Sequence, residues 1–441
     1  MNRIDISRFL KDNGDARHVS ECARKAIAQL AEAGGGELFF PPGEYLCGSI
    51  ELLDNISLCL AKGAVLKGAP DIADYYSDSD VNPALLHRYF IFAKSRRNVA
   101  ICGEGTIDGN GRSFWEDYYI GTDIKEGDLP PQKTRLIYNV LQPKPERTVL
   151  MYFASCKDVS VKGVTLRNSP SYTVWTVDCE DVIIDGLTIR NPRNGPNTDA
   201  LDIDCTERVR IHNCDIEAGD DCIAIKSDPN RIGRFRPCQD VVASGCRLST
   251  STCAIRLGYE GDAPIRNMTF RDMEFVKCRI GFDILAIKPV CRLKIEHGSP
   301  IDDILFEDIT MRDVGQAFYI WSGCQPPLEG FGGHIRNVTF RRVDIESVGT
   351  SYIGGNHPEA ISGLRFEDVK MVVSDESCIP DTENPDTTVP SHWSGHLKCG
   401  GLRFNGTMPA LLSNVNVKCL QPGWPDIVIT GNEKEISDEQ I

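Results

Sequence analysis

Glu180-Asp181-Val182-Ile183-Ile184-Asp185-Gly186-Leu187-Thr188-Ile189 is the stretch that decides the fold. A polar start leads into a short run with Val182 and Ile184 two places apart. Gly186 breaks it, and a second run follows with Leu187 and Ile189. A period of two marks a strand, because successive side chains point to opposite faces. The layout recurs at Arg97-Asn98-Val99-Ala100-Ile101-Cys102-Gly103, Lys157-Asp158-Val159-Ser160-Val161-Lys162-Gly163-Val164-Thr165-Leu166 and Glu207-Arg208-Val209-Arg210-Ile211-His212-Asn213-Cys214. Shorter copies begin Gln239-Asp240-Val241, Arg266-Asn267-Met268, Asp302-Asp303-Ile304, Arg336-Asn337-Val338 and Ser362-Gly363-Leu364. From Val159 to Leu364 the first core residues are 23, 27, 32, 27, 36, 34 and 26 apart. Such spacing, with almost no helical periodicity between the runs, describes the coils of a parallel β-solenoid. Each coil stacks its inward Val, Ile, Leu and Phe on the coil before.

A length of 441 residues alone suggests about three domains. One continuous stacked core fits better, so a single all-β parallel β-helix domain is expected over 1–441. Solenoid ends must hide their open edges. A capping helix is expected over 18–34, started by Ser20, with Ala23, Ala26, Ile27 and Leu30 on its apolar face. Gly34-Gly35-Gly36 would stop it before the first coil, near Glu37-Leu38-Phe39-Phe40. Residues 112–147, with Phe114, Trp115, Tyr118, Tyr119 and Pro130-Pro131, read as an inserted loop, either a lid or binding wall or else an outlying loop or oligomer contact. Residues 375–395 are rich in Ser, Asp, Pro and Thr, so 375–441 reads as an irregular C-terminal end holding a last strand pair.

Composition excludes several functions. With 41% hydrophobic and 25% charged residues the chain is neither disordered nor fibrous. Its net charge of −15 repels phosphate backbones and anionic lipid, so neither nucleic acid nor a membrane is an expected partner. No run approaches the ~18 apolar residues that span a bilayer. Met1-Asn2-Arg3-Ile4-Asp5-Ile6-Ser7 lacks the layout of a secretory signal, which points to the cytoplasm. The 18 cysteines include no C-x-x-C pair and many lie in apolar stretches, as at Cys102, Cys222 and Cys253. They read as reduced, buried thiols.

Chemistry concentrates at Asn197-Thr198-Asp199 and Gly219-Asp220-Asp221-Cys222. Asp199 and Asp220 are 21 residues apart, close to one coil, so they belong on neighbouring coils about 4.8 Å apart. Asp220 and Asp221 would face opposite sides of a regular strand, and Gly219 allows the bend that turns both outward. Crowded carboxylates raise one another's pKa, so that one can serve as an acid and another as a base. By spacing alone a solvated turn or a calcium site fits equally well.

At these residues the chain resembles the family 28 glycoside hydrolases, the polygalacturonases and rhamnogalacturonan hydrolases. Gly34-Gly35-Gly36, Pro41-Pro42-Gly43-Glu44-Tyr45 and Asn168-Ser169-Pro170 share in the likeness, which runs from about Gly34 to Phe366. The resemblance implies a right-handed, pectin-lyase-like parallel β-helix. It implies Asp220 as general acid, Asp199 and Asp221 as activators of water, Asn197 at the substrate, and inversion at the anomeric carbon. Two departures mark a divergent member. Polygalacturonases carry Gly-His-Gly about one coil later, where this chain reads Ser249-Thr250-Ser251-Thr252-Cys253-Ala254-Ile255-Arg256-Leu257-Gly258. Their Arg-Ile-Lys is here Ala286-Ile287-Lys288. The rhamnogalacturonan branch also dispenses with that histidine.

Alternation suggests a replacement. If Ile223, Ile225, Ile255, Leu257 and Ile287 point inward, then Lys226, Arg256 and Lys288 point outward. Steps of 30 and 32 residues would set them in a column beside the aspartates, suited to a substrate carboxylate or to balancing the aspartates' charge. Tyr319 and Trp321 would follow in the next coil, with Trp321 either a sugar platform or ordinary packing. His392-x-x-x-His396 has metal-like spacing but no obvious third ligand, so no metal or other cofactor is expected. Gly103-Glu104-Gly105 and Gly109-Asn110-Gly111 are turns rather than a phosphate loop. The expected function is inverting hydrolysis of an oligosaccharide or glycoside, uronide- or rhamnose-containing and pectin-derived, from chain ends. The rivals are a uronide lyase or epimerase, and a non-catalytic carbohydrate-binding relative.

Overall fold

The second residue of each repeat sets the corner from which a strand departs. Asn98, Asp158, Asp181, Arg208, Asp240, Asn267, Asp303 and Asn337 all adopt the left-handed conformation, with φ between 52° and 59°. Asn and Asp tolerate that region better than other side chains with a Cβ, which explains why the repeats open on them. Arg208 is the exception. Its guanidinium is clamped by Asp181 Oδ1 at 2.7 Å, Glu180 Oε2 at 2.8 Å and Glu207 Oε1 at 2.9 Å.

A computed structural model describes residues 2–10, 15–77, 87–121, 123–126, 140–289, 294–324, 328, 330, 332–374, 400–407, 409 and 411–430. They fall into two compact units, and the chain passes from one to the other at the Asp220–Asp221 peptide bond. Among the described residues no helix is long and apolar enough to cross a membrane.

In the first unit three strands make a coil. Arg147–Ala154, Lys157–Lys162 and Thr165–Arg167 are followed by Val174–Val177, Glu180–Asp185 and Thr188–Arg190, then by Leu201–Asp204, Glu207–His212 and Asp215–Ala218. Each strand lies parallel to its counterpart one coil on. Val99, Val159, Val182 and Val209 are in register, as are Ile101, Val161, Ile184 and Ile211. Ile107, Leu166, Ile189 and Ile216 form a third row. All twelve are buried. At about 1.5–3 kcal/mol for each buried aliphatic side chain, these rows are a main source of stability.

The capping helix is real but starts earlier than expected. It spans Ala16–Glu32, and Asp15 rather than Ser20 is its N-cap, accepting from the His18 N–H. Ser20 sits inside the first turns, donating back to Ala16 O at 2.8 Å and accepting from the Gly48 N–H at 2.8 Å. The glycines do end the helix: Gly35 N–H reaches Leu30 O at 2.8 Å and Gly34 N–H reaches Ala31 O at 3.0 Å, with Gly34 left-handed. The 112–147 segment contributes two strands. Strand Trp115–Tyr119 pairs antiparallel with Leu141–Pro143, whereas 122 and 127–139, with Pro130-Pro131, lie outside the described residues.

The second unit continues the plan with longer strands. Phe270, Phe306, Phe340 and Phe366 stand in register, and each consecutive pair of rings is stacked at 5.1 Å. Beyond the expected strand pair, the described C-terminal residues hold one more strand. Leu402–Asn405, Leu411–Cys419 and Ile427–Thr430 add three parallel strands. The reason is that alternation, as in Leu402 and Phe404, resumes after the Ser/Pro/Thr-rich stretch. Residues 375–399, including His392 and His396, lie outside the described residues, as do 431–441.

Candidate active site

Asp199 and Asp220 occupy the same corner of consecutive coils. Asp199 lies between strands Thr188–Arg190 and Leu201–Asp204, and Asp220 follows strand Asp215–Ala218. Gly219 draws the two corners together. A Cβ there would stand 2.5 Å from Gly195 O, Pro192 O and Thr198 Oγ1, so only glycine fits. Its N–H donates to Thr198 Oγ1 at 3.1 Å, and that hydroxyl donates to Gly195 O at 3.0 Å. The result is an oxygen from Asp199 within 4.8 Å of one from Asp220. Both are more buried than a solvent-facing pair, at 4% and 5% exposure.

Two residues that the sequence reading missed hold this corner. Asn191 is buried and links three segments: its Oδ1 accepts from the Ser169 N–H at 2.9 Å, and its Nδ2 donates to Thr173 Oγ1 at 2.8 Å and Thr198 O at 3.3 Å. Arg147 donates to Pro196 O at 2.7 Å and to Asn197 Oδ1 at 3.0 Å. Asn197 itself is left-handed, with φ 51°, and is oriented by that arginine. The 112–147 segment is tied to the same loop and to its counterpart one coil earlier. Leu141 N–H donates to Asn194 O at 2.9 Å, Asn194 Nδ2 donates to Glu126 Oε1 at 3.0 Å, and the Trp115 indole donates to Pro170 O at 3.0 Å.

Asp221 opens the second unit and is fully buried. Residues 219–222 form no strand, so the bend expected at Gly219 is present. Asp221 Oδ1 accepts from Thr252 Oγ1 at 3.0 Å and from the Cys253 N–H at 3.3 Å, and Oδ2 lies 2.7 Å from Arg256 Nη1. Arg256 also donates from Nε to Asp283 Oδ2 at 2.8 Å. Burial pushes the Asp283 carboxyl up from the usual range, and the Arg256 charge opposes that. Asp283 is a third missed residue. Its signal was the coil length, since it lies 27 residues after Arg256, directly across the ladder.

The three cations do not form the expected column. Arg256 stands opposite Ala224 and Asp283, Lys288 stands opposite Cys324, and the register shifts between Ile225 and Ser227. A coil of 27 residues and a bulge displace a count based on 30 and 32. Lys226 is buried 3.8 Å from Glu260, which also pairs closely with Arg231. Lys288 is half-buried at the end of its strand. Trp321 is 2% exposed and packs in a cluster with Cys253, Leu285, Ile287, Tyr319 and Tyr352. Its indole lies over Gly355, where a Cβ would come within 2.0 Å of the ring.

Asn197-Thr198-Asp199 and Gly219-Asp220-Asp221 lie inside the segment that matches a family of glycosyl hydrolases. Residues 73–388 match the model of the glycosyl hydrolases family 28, and the chain belongs to that family. It is 29% identical over 323 residues to a probable polygalacturonase of Vitis vinifera, covering 70% of this chain and 60% of that one. The chain thus spans less than two thirds of that relative's length. It is 28% identical over 343 residues to an endo-polygalacturonase of Pectobacterium parmentieri, covering 74% and 77%. Among solved structures, a hyperthermoactive exopolygalacturonase from Thermotoga maritima matches at 20% identity with a TM-score of 0.67, over 98% of this chain and 92% of that one. The fold is a right-handed parallel β-helix.

Proposed function

We propose that this protein is an inverting glycoside hydrolase that removes sugars from the ends of pectin-derived oligosaccharides or related plant glycosides. The observation that carries the reading is the approach of Asp199 to Asp220 at one corner of consecutive coils, inside the family 28 signature. Asp220 donates its proton to the glycosidic oxygen as that oxygen leaves the anomeric carbon. Asp199 and Asp221 activate the water that attacks the same carbon from the other face, and one of the two carboxylates takes up the proton that water loses. Two carboxylates this close also suit a hard cation. The signature around them favours proton transfer.

Inversion rests on the family resemblance. By distance alone, oxygens within 4.8 Å sit nearer the ~5–5.5 Å carboxyl spacing of retaining enzymes than the ~6.5–9.5 Å of inverting ones. The anomer released first, followed by proton NMR, decides between them. Proton abstraction by Arg256, as a uronide lyase would use, is disfavoured because that side chain is buried between two carboxylates. End-wise action is supported by the 112–147 segment, whose hydrogen bonds to Asn194 and Pro170 anchor it beside the loop that carries Asp199. A wall there would close one end of the substrate site. The test is a time course on a labelled pectic oligosaccharide. Release of one unit at a time with the β-anomer of an α-linked substrate supports the proposal. An early mixture of intermediate lengths removes end-wise action, and release of the α-anomer removes inversion.

A further inference from the structure

Arg256 has the residue type of a substrate clamp but the surroundings of an internal strut. It is 7% exposed. Nε donates to Asp283 Oδ2 at 2.8 Å and Nη2 to Cys253 Sγ at 3.1 Å, while Nη1 stands 2.7 Å from Asp221 Oδ2 in an ion pair that leaves this buried oxygen without a hydrogen bond among the described residues. All three nitrogens of the guanidinium are therefore engaged within the protein. Asp283 is fully buried and also accepts from Cys253 Sγ at 3.3 Å. The remaining oxygen of Asp221 is fixed by Thr252 and the Cys253 N–H. A buried carboxylate needs a counter-charge, and a planar guanidinium supplies one with direction as well as charge.

We propose that Arg256 and Asp283 are positioning residues: Asp283 holds the guanidinium in place, and the guanidinium aims the Asp221 carboxylate at the attacking water. The inference rests on the hydrolytic reading above. It assigns Arg256 a role exerted through Asp221 rather than through the substrate's carboxylate. Asp283, outside the signature segments, becomes part of the machinery of turnover. Asp283 lies directly across the ladder from Arg256. A lysine at 256 would keep one positive charge but could not bridge two carboxylates in a fixed fork.

The experiment measures kcat and KM on a uronide and on a neutral glycoside for the wild type, Asp283→Asn, Arg256→Lys and the double variant, with near-ultraviolet circular dichroism as the check on folding. Displacing a reacting group by about 1 Å costs on the order of 100-fold in rate. Asp283→Asn and Arg256→Lys are each expected to lower kcat by about that much on both substrates, with KM within about twofold. The double variant is expected to be no worse than Arg256→Lys alone, because the two residues act as one unit. A KM that rises on the uronide only, with kcat retained, makes Arg256 a substrate ligand and overturns the proposal. So does an unchanged kcat in folded Asp283→Asn, or the failure of both single variants to fold, which assigns the pair to stability. A wild type that hydrolyses no glycoside overturns the function itself. An active wild type with an indifferent Asp283→Asn overturns this inference alone.

Discussion

Gly219 shows how one missing side chain makes a site. The corner bearing Asp220 can press against the corner bearing Asp199 only because nothing projects from that Cα, and the carboxylates come together as a result. Gly355 does the same for packing, by leaving room for the Trp321 ring. Trp321 is thereby part of an apolar cluster rather than a surface platform. Trp321→Ala is expected to destabilise the protein by about 3–5 kcal/mol, the cost of emptying a large core site. Thermal unfolding checks it. An unchanged melting temperature with weakened sugar binding would return Trp321 to the substrate.

At the scale of the element, the left-handed corner residue is the device that repeats. Asn337, with φ 55°, donates from Nδ2 to Asp303 Oδ1 at 3.0 Å, so corner side chains one coil apart bond to each other. A β-branched side chain is the poorest occupant of that conformation. Asn337→Val is expected to cost about 1–2 kcal/mol, whereas Asn337→Gly should stay close to neutral. Denaturant titration of the two variants separates the backbone effect from the lost hydrogen bond. Equal losses would place the stability in the hydrogen bond. Such corners were legible in the sequence because Asn and Asp recur just before the alternating run. The strand rows were legible too, because Val159, Val182 and Val209 are near neighbours in a fixed period. Register was less so. A bulge after Ile225 and coils of unequal length shifted Arg256 away from Lys226 and Lys288 and onto Asp283. Alternation also tells which face of a strand a side chain takes, not whether another layer covers that face. Arg256 and Trp321 point away from the coil's own core and are buried all the same.

At the scale of the whole molecule, a net charge of −15 coexists with buried positive groups at Lys226 and Arg256. The 18 cysteines follow the same logic of burial. Among the described residues no cysteine is in a disulfide, and most are buried. Burial pushes the Cys47 thiol up to about 12. Because the thiolate is the reactive form, raising the pH from about 7 to about 9 should speed alkylation of the unfolded chain while leaving native Cys47 unmodified. Peptide mapping after iodoacetamide treatment reads this directly, and native labelling at Cys47 would contradict the packing of helix Ala16–Glu32 over the first coil. Catalysis by the aspartate corner is tested most directly at Asp220. Reducing-end release from a panel of pectic oligosaccharides and aryl glycosides is measured for the wild type and Asp220→Asn. The expected result is hydrolysis by the wild type and a loss of roughly 100-fold or more in a variant that remains folded. Equal turnover by folded Asp220→Asn, or no hydrolysis by the wild type across the panel, would contradict the account.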